Sequence, residues 1–282
     1  MTLTEAQAEA VRMLRSRRID VPDLTARVLL AHVLQRDQAW LVSHSLDELA
    51  ADRLEALRTS VRQRCDGVPT QYIRGFQEFY GREFLVTPDV LIPRPETEHL
   101  VEAALERLRP GHSVADIGTG SGAVAISLAK ESVGTRIFGS DISLPAVKVA
   151  RSNAGRMQAD VCLCAGDLAT AFLSERFDLV VSNPPYVPLD DAPGMQRELS
   201  REPPVALFGG TDGLQVIRGL LRSVPRVLKP GGWFLCEIGF NSRPGVERLL
   251  HRCGWSHPQF LRDLAGIDRV LVVRKAAEPV AE

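Results

Sequence analysis

The first part of the chain carries apolar residues at helical spacing. In "VPDLTARVLLAHVL" they recur every three or four positions, at Leu24, Val28, Ala31 and Leu34. This is the spacing of one buried helix face. Pro22 with Asp23 is typical of a helix start, and Gly67 after "LDELAADRLEALRTSVRQRCDG" is typical of a helix end. We therefore predict a helical bundle over residues 1–70. Its acidic and basic residues are roughly balanced, which favours a stabilising cap or a protein-docking surface over nucleic-acid binding.

A different pattern follows the bundle. Aromatic and β-branched residues cluster around Gly81 in "PTQYIRGFQEFYGREFLVTPDVLIPRPETE", which predicts a short hairpin. We interpret residues 71–94 as a hairpin linker. "RPETEHLVEAALERLR" then opens a helix with Pro95 near its first position.

Beyond Gly111, apolar strands alternate with amphipathic helices. Five stretches have strand character: "SVADIG", "RIFGSDI", "DVCLCAGD", "FDLVVSN" and "GGWFLCEIG". Two more lie in "PQFLRDLAGIDRVLVVRK" and would form edge strands. Alternation of this kind predicts an α/β fold, with a doubly wound, mostly parallel, seven-stranded sheet of Rossmann-like type over residues 95–282.

Composition and charge exclude several classes of protein. The 282 residues carry a formal net charge of −1, so no global field attracts nucleic acid or an anionic membrane. The five cysteines form no CxxC pair and the six histidines have no His-Glu-x-x-His spacing, so we expect reduced thiols and no metal site. No apolar run reaches the ~18 residues of a membrane span. We expect a cytoplasmic protein.

A glycine-rich turn is the first candidate site. In "ADIGTGSGA", Asp116 closes a strand, and Gly118, Gly120 and Gly122 lead into a helix. The spacing is Gly-x-Gly-x-Gly, not the Gly-x-Gly-x-x-Gly of dinucleotide-binding turns. Tight strand-to-helix turns need glycine in any case, so this feature by itself fits a ligand loop and a purely structural turn equally well.

Asp141 is the second candidate. It ends the next strand in "GSDIS", about twenty residues after the glycine turn. An acid at this place accepts hydrogen bonds from the two hydroxyls of a ribose; the alternative is a helix N-cap. Glycine turn and acid together favour an adenosine-type cofactor with an unmodified 2′-hydroxyl.

The third candidate is "SNPPY", which ends the fourth strand at Asn183, Pro184, Pro185 and Tyr186. The prolines fix an extended backbone and offer no amide hydrogen. The side-chain oxygen of Asn183 and the carbonyl of Pro184 can each accept one hydrogen of a planar NH2 group, with Tyr186 packed on its face. Such a clamp would direct the nitrogen lone pair at an electrophile, and a cofactor with a methyl sulfonium fits this chemistry whereas a hydride carrier does not.

With "DIGTGSG", "SDIS" and "SNPPY" in this order, the chain resembles the S-adenosylmethionine-dependent methyltransferases that modify NH2 nitrogens, and more narrowly the release factor glutamine methyltransferases, the HemK/PrmC family. Nearly the whole chain takes part: "PTQYIRGFQEFYG", "VLIPRPETE", "REPPVALFGGTDGL" and "AGIDRV" also resemble segments of that family. The resemblance implies methylation of the glutamine side chain in the Gly-Gly-Gln motif of class 1 peptide chain release factors, with S-adenosylhomocysteine as the second product. It also implies that the helical domain recognises the substrate protein.

The resemblance assigns roles by position. The turn formed by Gly118, Thr119, Gly120, Ser121 and Gly122 would hold the methionine part of the cofactor, and Asp141 its ribose. Asp167 and Leu168 would lie near the adenine, where the family often has an aromatic neighbour that Leu168 lacks. Asn183 would face both cofactor and substrate, and the rest of the "NPPY" clamp would hold the glutamine amide. We expect a monomer that binds neither membrane nor nucleic acid.

Alternatives remain at the level of the sequence. Adenine offers the same kind of NH2 group, so a nucleic-acid adenine N6-methyltransferase is one, although 6% aromatic residues and a slightly negative charge disfavour it. A non-catalytic, cofactor-binding adaptor of the translation machinery is another. Residues 187–213 are long for a structureless connection and are interpreted as a substrate lid or a mobile loop. Arg94 and Glu96 of "RPETE" either line the crevice or cap a helix.

Overall fold

The structure is a computed structural model, and it describes residues 1–277 of the chain. These residues form two compact units. The first comprises residues 1–76 together with residues 196–201, and the second comprises residues 77–195 together with the chain from residue 202 onward.

The first unit is helical. Its helices α1 to α5 are Leu3–Ser16, Pro22–Leu34, Gln38–Ser43, Ala51–Cys65 and Thr70–Arg74. Thr2 caps α1 because its hydroxyl accepts the amide of Glu5 while the Glu5 carboxylate accepts the amide of Thr2. Helix α2 begins at Pro22, as the sequence predicts. Leucine, valine and alanine side chains of α1, α2 and α4 form a single core, which includes Leu14, Leu29, Leu30, Leu57 and Val61.

The segment 196–201 belongs to this helical unit although it lies far along the chain. Arg64 of α4 is buried and pairs with Glu198. Arg197 donates to the carbonyl oxygen of Cys65 at 3.3 Å, and Arg201 donates to that of Asp66 at 2.7 Å. The C-terminal end of α4 therefore holds this segment through three arginine contacts.

A two-stranded hairpin follows, formed by β1 (Phe76–Phe79) and β2 (Arg82–Leu85). The turn contains Tyr80 and Gly81, both with positive φ. The side chains of Phe79 and Phe84 are almost completely buried and meet edge to face, with ring centroids 6.0 Å apart. The hairpin predicted around Gly81 is present.

The second unit alternates strands and helices as the sequence predicts. After a 3-10 turn at Pro95–Thr97, its elements in chain order are α6 (Glu98–Leu105), β3 (Ser113–Ile117), α7 (Ala123–Glu131), β4 (Arg136–Asp141), α8 (Leu144–Met157), β5 (Val161–Ala165), β6 (Phe177–Ser182), α9 (Pro204–Leu207), α10 (Gln215–Val227), β7 (Leu228–Glu237), α11 (Arg243–Arg252), β8 (Gln259–Arg262) and β9 (Asp268–Arg274).

The seven strands β3 to β9 form one sheet in the order β5-β4-β3-β6-β7-β9-β8. The first five pair in parallel, whereas β9 is antiparallel to both β7 and β8. Apolar residues of α10 and α11 cover one face, and those of α6, α7 and α8 cover the other. The prediction of a doubly wound, mostly parallel seven-stranded sheet with an N-terminal helical region is confirmed.

The order of the strands places the candidate sites. Strand order reverses between β3 and β6, which is the switch point where open α/β sheets bind ligands beyond the carboxyl ends of their strands. Strand β3 leads into the glycine turn, β4 ends at Asp141, and β6 leads into Asn183. The fold therefore brings the three sequence-predicted sites to one edge of the sheet.

Candidate active site

A cavity of about 340 Å³ lies at this edge, within the range of small-molecule binding pockets. Most sequence-predicted site residues line it: Gly118, Thr119, Gly120, Ser121, Asp141, Asp167, Leu168, Asn183, Pro184 and Pro185. Gly122 and Tyr186 are not among the lining residues. The three candidate sites thus share one cavity, in which two predicted residues take no direct part.

The glycine turn exposes its backbone to this cavity. Gly118 and Gly120 have φ of +78° and +55°, and a Cβ atom built on either would meet no atom within 4 Å. Glycine is therefore required by the backbone conformation and leaves room for a ligand to approach. Gly122 differs, since a Cβ there would lie 2.9 Å from Ile126 and 3.2 Å from Ala150. Its absent side chain allows close packing of α7 against α8.

Asp116 supports the same turn from below. Its carboxylate accepts the hydroxyl of Thr119 at 2.7 Å and the backbone amide of Ala125 at 3.2 Å. The side chain is 1% exposed. Burial raises the pKa of Asp116 to about 7, and the two hydrogen bonds only partly oppose this shift. Asp116 thus links β3, the turn and the first turn of α7.

Asp141 joins the glycine turn to the end of β4. One carboxylate oxygen accepts the amide of Gly120 at 2.9 Å, and the other accepts the amide of Ser143 at 2.9 Å. Ser143, not Asp141, is the N-cap of α8, because its hydroxyl accepts the amide of Ala146. Burial raises the pKa of Asp141, and the backbone amides oppose this. The amide of Ile142 also interacts with this carboxylate. Because a carboxylate can accept about four hydrogen bonds, capacity remains for a ligand hydroxyl.

Asp167 and Leu168 follow β5 and line the cavity beside Asp141. Leu168 has a φ of +48°, and its side chain packs against α10 at Gly219, where a Cβ atom would lie 2.7 Å from Leu168 Cδ1. An aliphatic side chain therefore stands at the predicted adenine position.

The "NPPY" stretch presents acceptors to the cavity. The side-chain nitrogen of Asn183 donates to the hydroxyl of Thr97 at 2.9 Å. Within residues 1–277, neither the side-chain oxygen of Asn183 nor the carbonyl of Pro184 has a hydrogen-bond partner in the protein. Two residues that line the cavity thus each carry an acceptor without a protein partner.

Tyr186 points elsewhere. Its hydroxyl donates to a carboxylate oxygen of Glu237 at 3.1 Å. Burial and the neighbouring Glu237 raise the pKa of the Tyr186 hydroxyl, so it stays protonated near neutral pH. The packing of Tyr186 on a bound amide, which the sequence suggests, remains a prediction.

Residues 187–213 have more local structure than their Pro, Gly and Asp content indicates. They contain two 3-10 turns and helix α9, and Val187 forms a parallel bridge with Phe208. The amide of Gly209 donates to the carbonyl of Val187 at 2.9 Å, and the amide of Leu189 donates to that of Gly210 at 3.0 Å. The segment directly after the clamp is therefore paired with the end of the same loop.

Arg94 and Glu96 of "RPETE" lie outside the lining of the cavity. Arg94 pairs with the buried Glu202, which also accepts the amide of Ile92 at 3.0 Å. Glu96 is exposed and lies in the first turn of the 3-10 segment. Neither residue lines the cavity, whereas Thr97 does.

Two supporting residues escape sequence reasoning. Thr97 follows Arg94 and Glu96, whose charges made them the sequence-based candidates in this segment. Only the hydrogen bond from Asn183 identifies Thr97 as a supporting residue. Asn153 in α8 is fully buried and donates to the carbonyl oxygens of Ser121 at 2.9 Å and Leu85 at 3.0 Å. An asparagine on the apolar face of "AVKVARSNA" is a weak signal of such a contact.

Metal-binding clusters and membrane-spanning helices were sought among the described residues. Across residues 1–277, no set of three or more His, Cys, Asp or Glu side chains is arranged to bind a metal ion. None of the helices in the same residues has the length and apolar content to cross a membrane.

Comparison with solved structures agrees with this fold. A methyltransferase from Pyrococcus furiosus has a TM-score of 0.54 at 19% identity, covering 70% of this chain and 91% of that chain. The Thermus thermophilus 16S rRNA N2 G1207 methyltransferase, solved with AdoMet and guanosine, has a TM-score of 0.51 at 23% identity, covering 71% of this chain and 49% of its own. At these identities the likeness concerns the fold alone.

Sequence comparison is more specific. Residues 5–75 match the family model of the PrmC N-terminal domain, and residues 96–199 match that of the methyltransferase small domain. The release factor glutamine methyltransferase of Koribacter versatilis is 44% identical over 98% of this chain and 99% of its own length. That of Moorella thermoacetica is 40% identical over 99% and 100%, and that of Neisseria gonorrhoeae 43% over 89% and 92%. This chain belongs to the release factor glutamine methyltransferase family.

Proposed function

We propose that this enzyme transfers a methyl group from S-adenosylmethionine to the side-chain amide nitrogen of the glutamine in the Gly-Gly-Gln motif of class 1 release factors. Membership of the family makes it a methyltransferase that acts on release factor glutamine. The observation that carries the finer proposal is the pair of free acceptors, Asn183 Oδ1 and Pro184 O, at the cavity that the glycine turn and Asp141 also line.

The cavity residues fit S-adenosylmethionine. The open backbone at Gly118 and Gly120 leaves space for the methionine part, and the lone pairs of Asp141 suit the two ribose hydroxyls. Asp167 and Leu168 would flank the adenine. When bound, the cofactor supplies an electrophilic methyl group on a positively charged sulfur and leaves as S-adenosylhomocysteine.

The clamp addresses the difficulty of the reaction. An amide nitrogen is a poor nucleophile because its lone pair is delocalised into the carbonyl group. If Asn183 Oδ1 and Pro184 O each accept one N–H of the glutamine, they draw charge onto the nitrogen and fix the direction of its lone pair. The prolines keep this arrangement rigid, because they restrict the backbone on both sides of Pro184.

The proton that the nitrogen must lose needs no strong base. It can pass to solvent water after methyl transfer, when the nitrogen carries a positive charge and has become acidic. Until then the two acceptor oxygens hold the N–H groups. Asn183 therefore acts as an acceptor and orienting group and not as a general base.

The first unit is proposed to recognise the substrate protein. Residues 5–75 match a domain model specific to this family, and the unit exposes Val42 and Leu46 at 73% and 80% of their surface. We infer a monomeric, cytoplasmic enzyme that needs no metal, with release factors as partners.

In vitro methylation with mass spectrometry tests the function. The purified protein is given S-adenosylmethionine and, separately, a class 1 release factor, its Gln→Ala variant in the Gly-Gly-Gln motif, duplex DNA and RNA. We expect a gain of one methyl group on the intact release factor alone. Methylated adenine with an unmodified release factor would contradict the proposed substrate while retaining the clamp chemistry.

A further inference from the structure

A buried carboxylate lies behind the clamp. Strands β6 and β7 are parallel neighbours, and their register pairs Ser182 with Cys236. Asn183 follows β6 directly, and Glu237 is the last residue of β7. Glu237 is 1% exposed and is not among the residues that line the cavity.

Glu237 interacts with both polar side chains that support the clamp. Its Oε1 atom accepts the hydroxyl of Tyr186 at 3.1 Å. Its carboxylate also interacts with the hydroxyl of Thr97, and both hydroxyls oppose the rise in the pKa of Glu237 that burial causes. Thr97 in turn accepts the side-chain N–H of Asn183 at 2.9 Å. Thr97 therefore lies between Asn183, to which it is hydrogen-bonded, and Glu237, whose Oε2 atom is buried without a hydrogen-bond partner in residues 1–277.

The direction of the hydrogen bond between Thr97 and Asn183 follows from the number of hydrogens available. Thr97 has one hydroxyl hydrogen, and Glu237 Oε2 is a buried acceptor without a hydrogen-bond partner in the described residues, so an ionised Glu237 would take this hydrogen. The Thr97 oxygen is then left to accept, and the only Asn183 group that can donate to it is the NH2. Because the two ends of an amide have nearly the same shape, this requirement decides which end faces the cavity.

We propose that Thr97 and Glu237 are positioning residues that keep the oxygen of the Asn183 side chain, and not its nitrogen, facing the substrate amide. With the amide reversed, its N–H groups would oppose the N–H groups of glutamine and the clamp would lose an acceptor. Through Tyr186, the same carboxylate also fixes the last residue of the "NPPY" stretch. This inference rests on the proposed role of Asn183 as an acceptor.

The test compares Thr97→Val with Thr97→Ser. Valine keeps the shape of threonine without its hydroxyl, so it removes the acceptor for Asn183. We expect kcat for release factor methylation to fall about tenfold or more, by analogy with the loss of other orienting contacts. The Kd of S-adenosylmethionine, measured by calorimetry, should stay within about twofold. Thr97→Ser keeps the hydroxyl and should restore kcat to within about threefold of wild type.

Thr25→Val is the matched control, because Thr25 is also buried but lies in α2 of the helical unit. Glu237→Gln is the second variant, to be used also if Thr97→Val does not fold. A glutamine there can donate to Thr97 and free the Thr97 hydrogen for Asn183 Oδ1, which reverses the amide and should lower kcat. A wild-type kcat in Thr97→Val would overturn the proposal. If Thr97→Val does not fold, a wild-type kcat in Glu237→Gln would do so. The proposal would also be overturned if Thr97→Ser were as impaired as Thr97→Val.

Asn183→Ala separates this inference from the function on which it rests. If Asn183→Ala is inactive while Thr97→Val is fully active, only the positioning role is wrong. If Asn183→Ala is itself fully active, the clamp is wrong.

Discussion

At the scale of single residues, the cavity is organised by buried and half-buried polar side chains that bind neighbouring groups of the protein and leave acceptors free. Asp116 and Asp141 both accept hydrogen bonds from the glycine turn, the first from the hydroxyl of Thr119 and the second from the amide of Gly120. Asn183 uses its nitrogen within the protein and keeps its oxygen available. Buried polar groups with all partners satisfied rigidify a site, whereas one free acceptor in such surroundings is available for a ligand.

The buried carboxyl of Asp116 makes stability depend on pH. Its pKa is raised to about 7 in the folded protein from an ordinary 3.8, so the folded state binds its proton more tightly than the unfolded chain. This contribution to the free energy of unfolding is fully present below about pH 4, decreases as the pH rises, and is lost above about pH 7. Urea unfolding of the cofactor-free enzyme from pH 4 to 8 should therefore show a steeper decrease in wild type than in Asp116→Asn. Parallel curves for the two proteins would show that Asp116 titrates normally.

The sequence predicts these site residues unevenly. The glycine turn, Asp141 and the "NPPY" stretch could be located because each follows an apolar strand, and parallel strands end at the same edge of a sheet. Thr97 and Glu237 could not be predicted, because their contact with the clamp depends on the register of β6 against β7 and on the path of residues 86–97. In "RPETE" the charged residues Arg94 and Glu96 were the natural candidates, yet it is Thr97 that lines the cavity.

At the scale of elements, the turn at residues 209–213 packs directly against the backbone of the clamp. A Cβ atom at Gly209 would lie 2.6 Å from the carbonyl oxygen of Pro185, and one at Gly213 would lie 2.4 Å from that of Tyr186. Contacts this short leave no room for a side chain. The "FGGTDG" stretch is therefore a support for the clamp rather than a generic loop end.

Gly213→Ala should disturb this support. Gly213 also has a φ of +69°, so alanine adds backbone strain to the collision. We expect a loss of about 2 kcal/mol or more in the free energy of unfolding and a clear decrease in kcat. Gly194→Ala is the control, because Gly194 lies in the same loop, has no positive φ and would place its Cβ in open space. Equal stability of the two variants in urea unfolding would contradict the supporting role of Gly213.

Strands were predicted more completely than the long loop. The apolar stretches located all seven strands of the sheet, and most clearly β3 and β6, because burial on both faces leaves continuous apolar runs there. The two 3-10 turns and α9 within residues 187–213 were not predicted, since segments of three to six residues are too short to show an apolar period.

At the scale of the whole molecule, the chain returns to its first unit once. Sequence patterning predicts a helical bundle that ends near residue 70, and nothing in the composition of "QRELSR" indicates that residues 196–201 belong with it. The physical reason appears only in the fold: Arg64 is 3% exposed and its pairing with Glu198 compensates part of the charge buried in α4. A pair between residues so far apart in sequence has no local signature.

Glu198→Ala should destabilise the helical unit, because it leaves a buried arginine without that carboxylate. The side chains of Arg64 and Glu198 are 4% and 36% exposed, and we expect a loss of about 1–3 kcal/mol. Glu55→Ala is the matched control, because its partner Arg62 and Glu55 itself are 54% and 60% exposed, and pairs of this kind contribute about 0–1 kcal/mol. Hydrogen exchange of α4, followed by mass spectrometry, should accelerate in Glu198→Ala only. Equal exchange in the two variants would show that the segment does not stabilise α4.

The rate of methyl transfer by Asn183→Ala decides whether the clamp performs the reaction. A single turnover with saturating S-adenosylmethionine and a class 1 release factor isolates the transfer step, and calorimetry gives the affinity for the cofactor. If Asn183 holds the glutamine amide, the rate should fall about a hundredfold or more, equivalent to about 3 kcal/mol of barrier, while the Kd of the cofactor stays within a few-fold. A near-normal rate in this variant would show that the amide is held and activated by other groups.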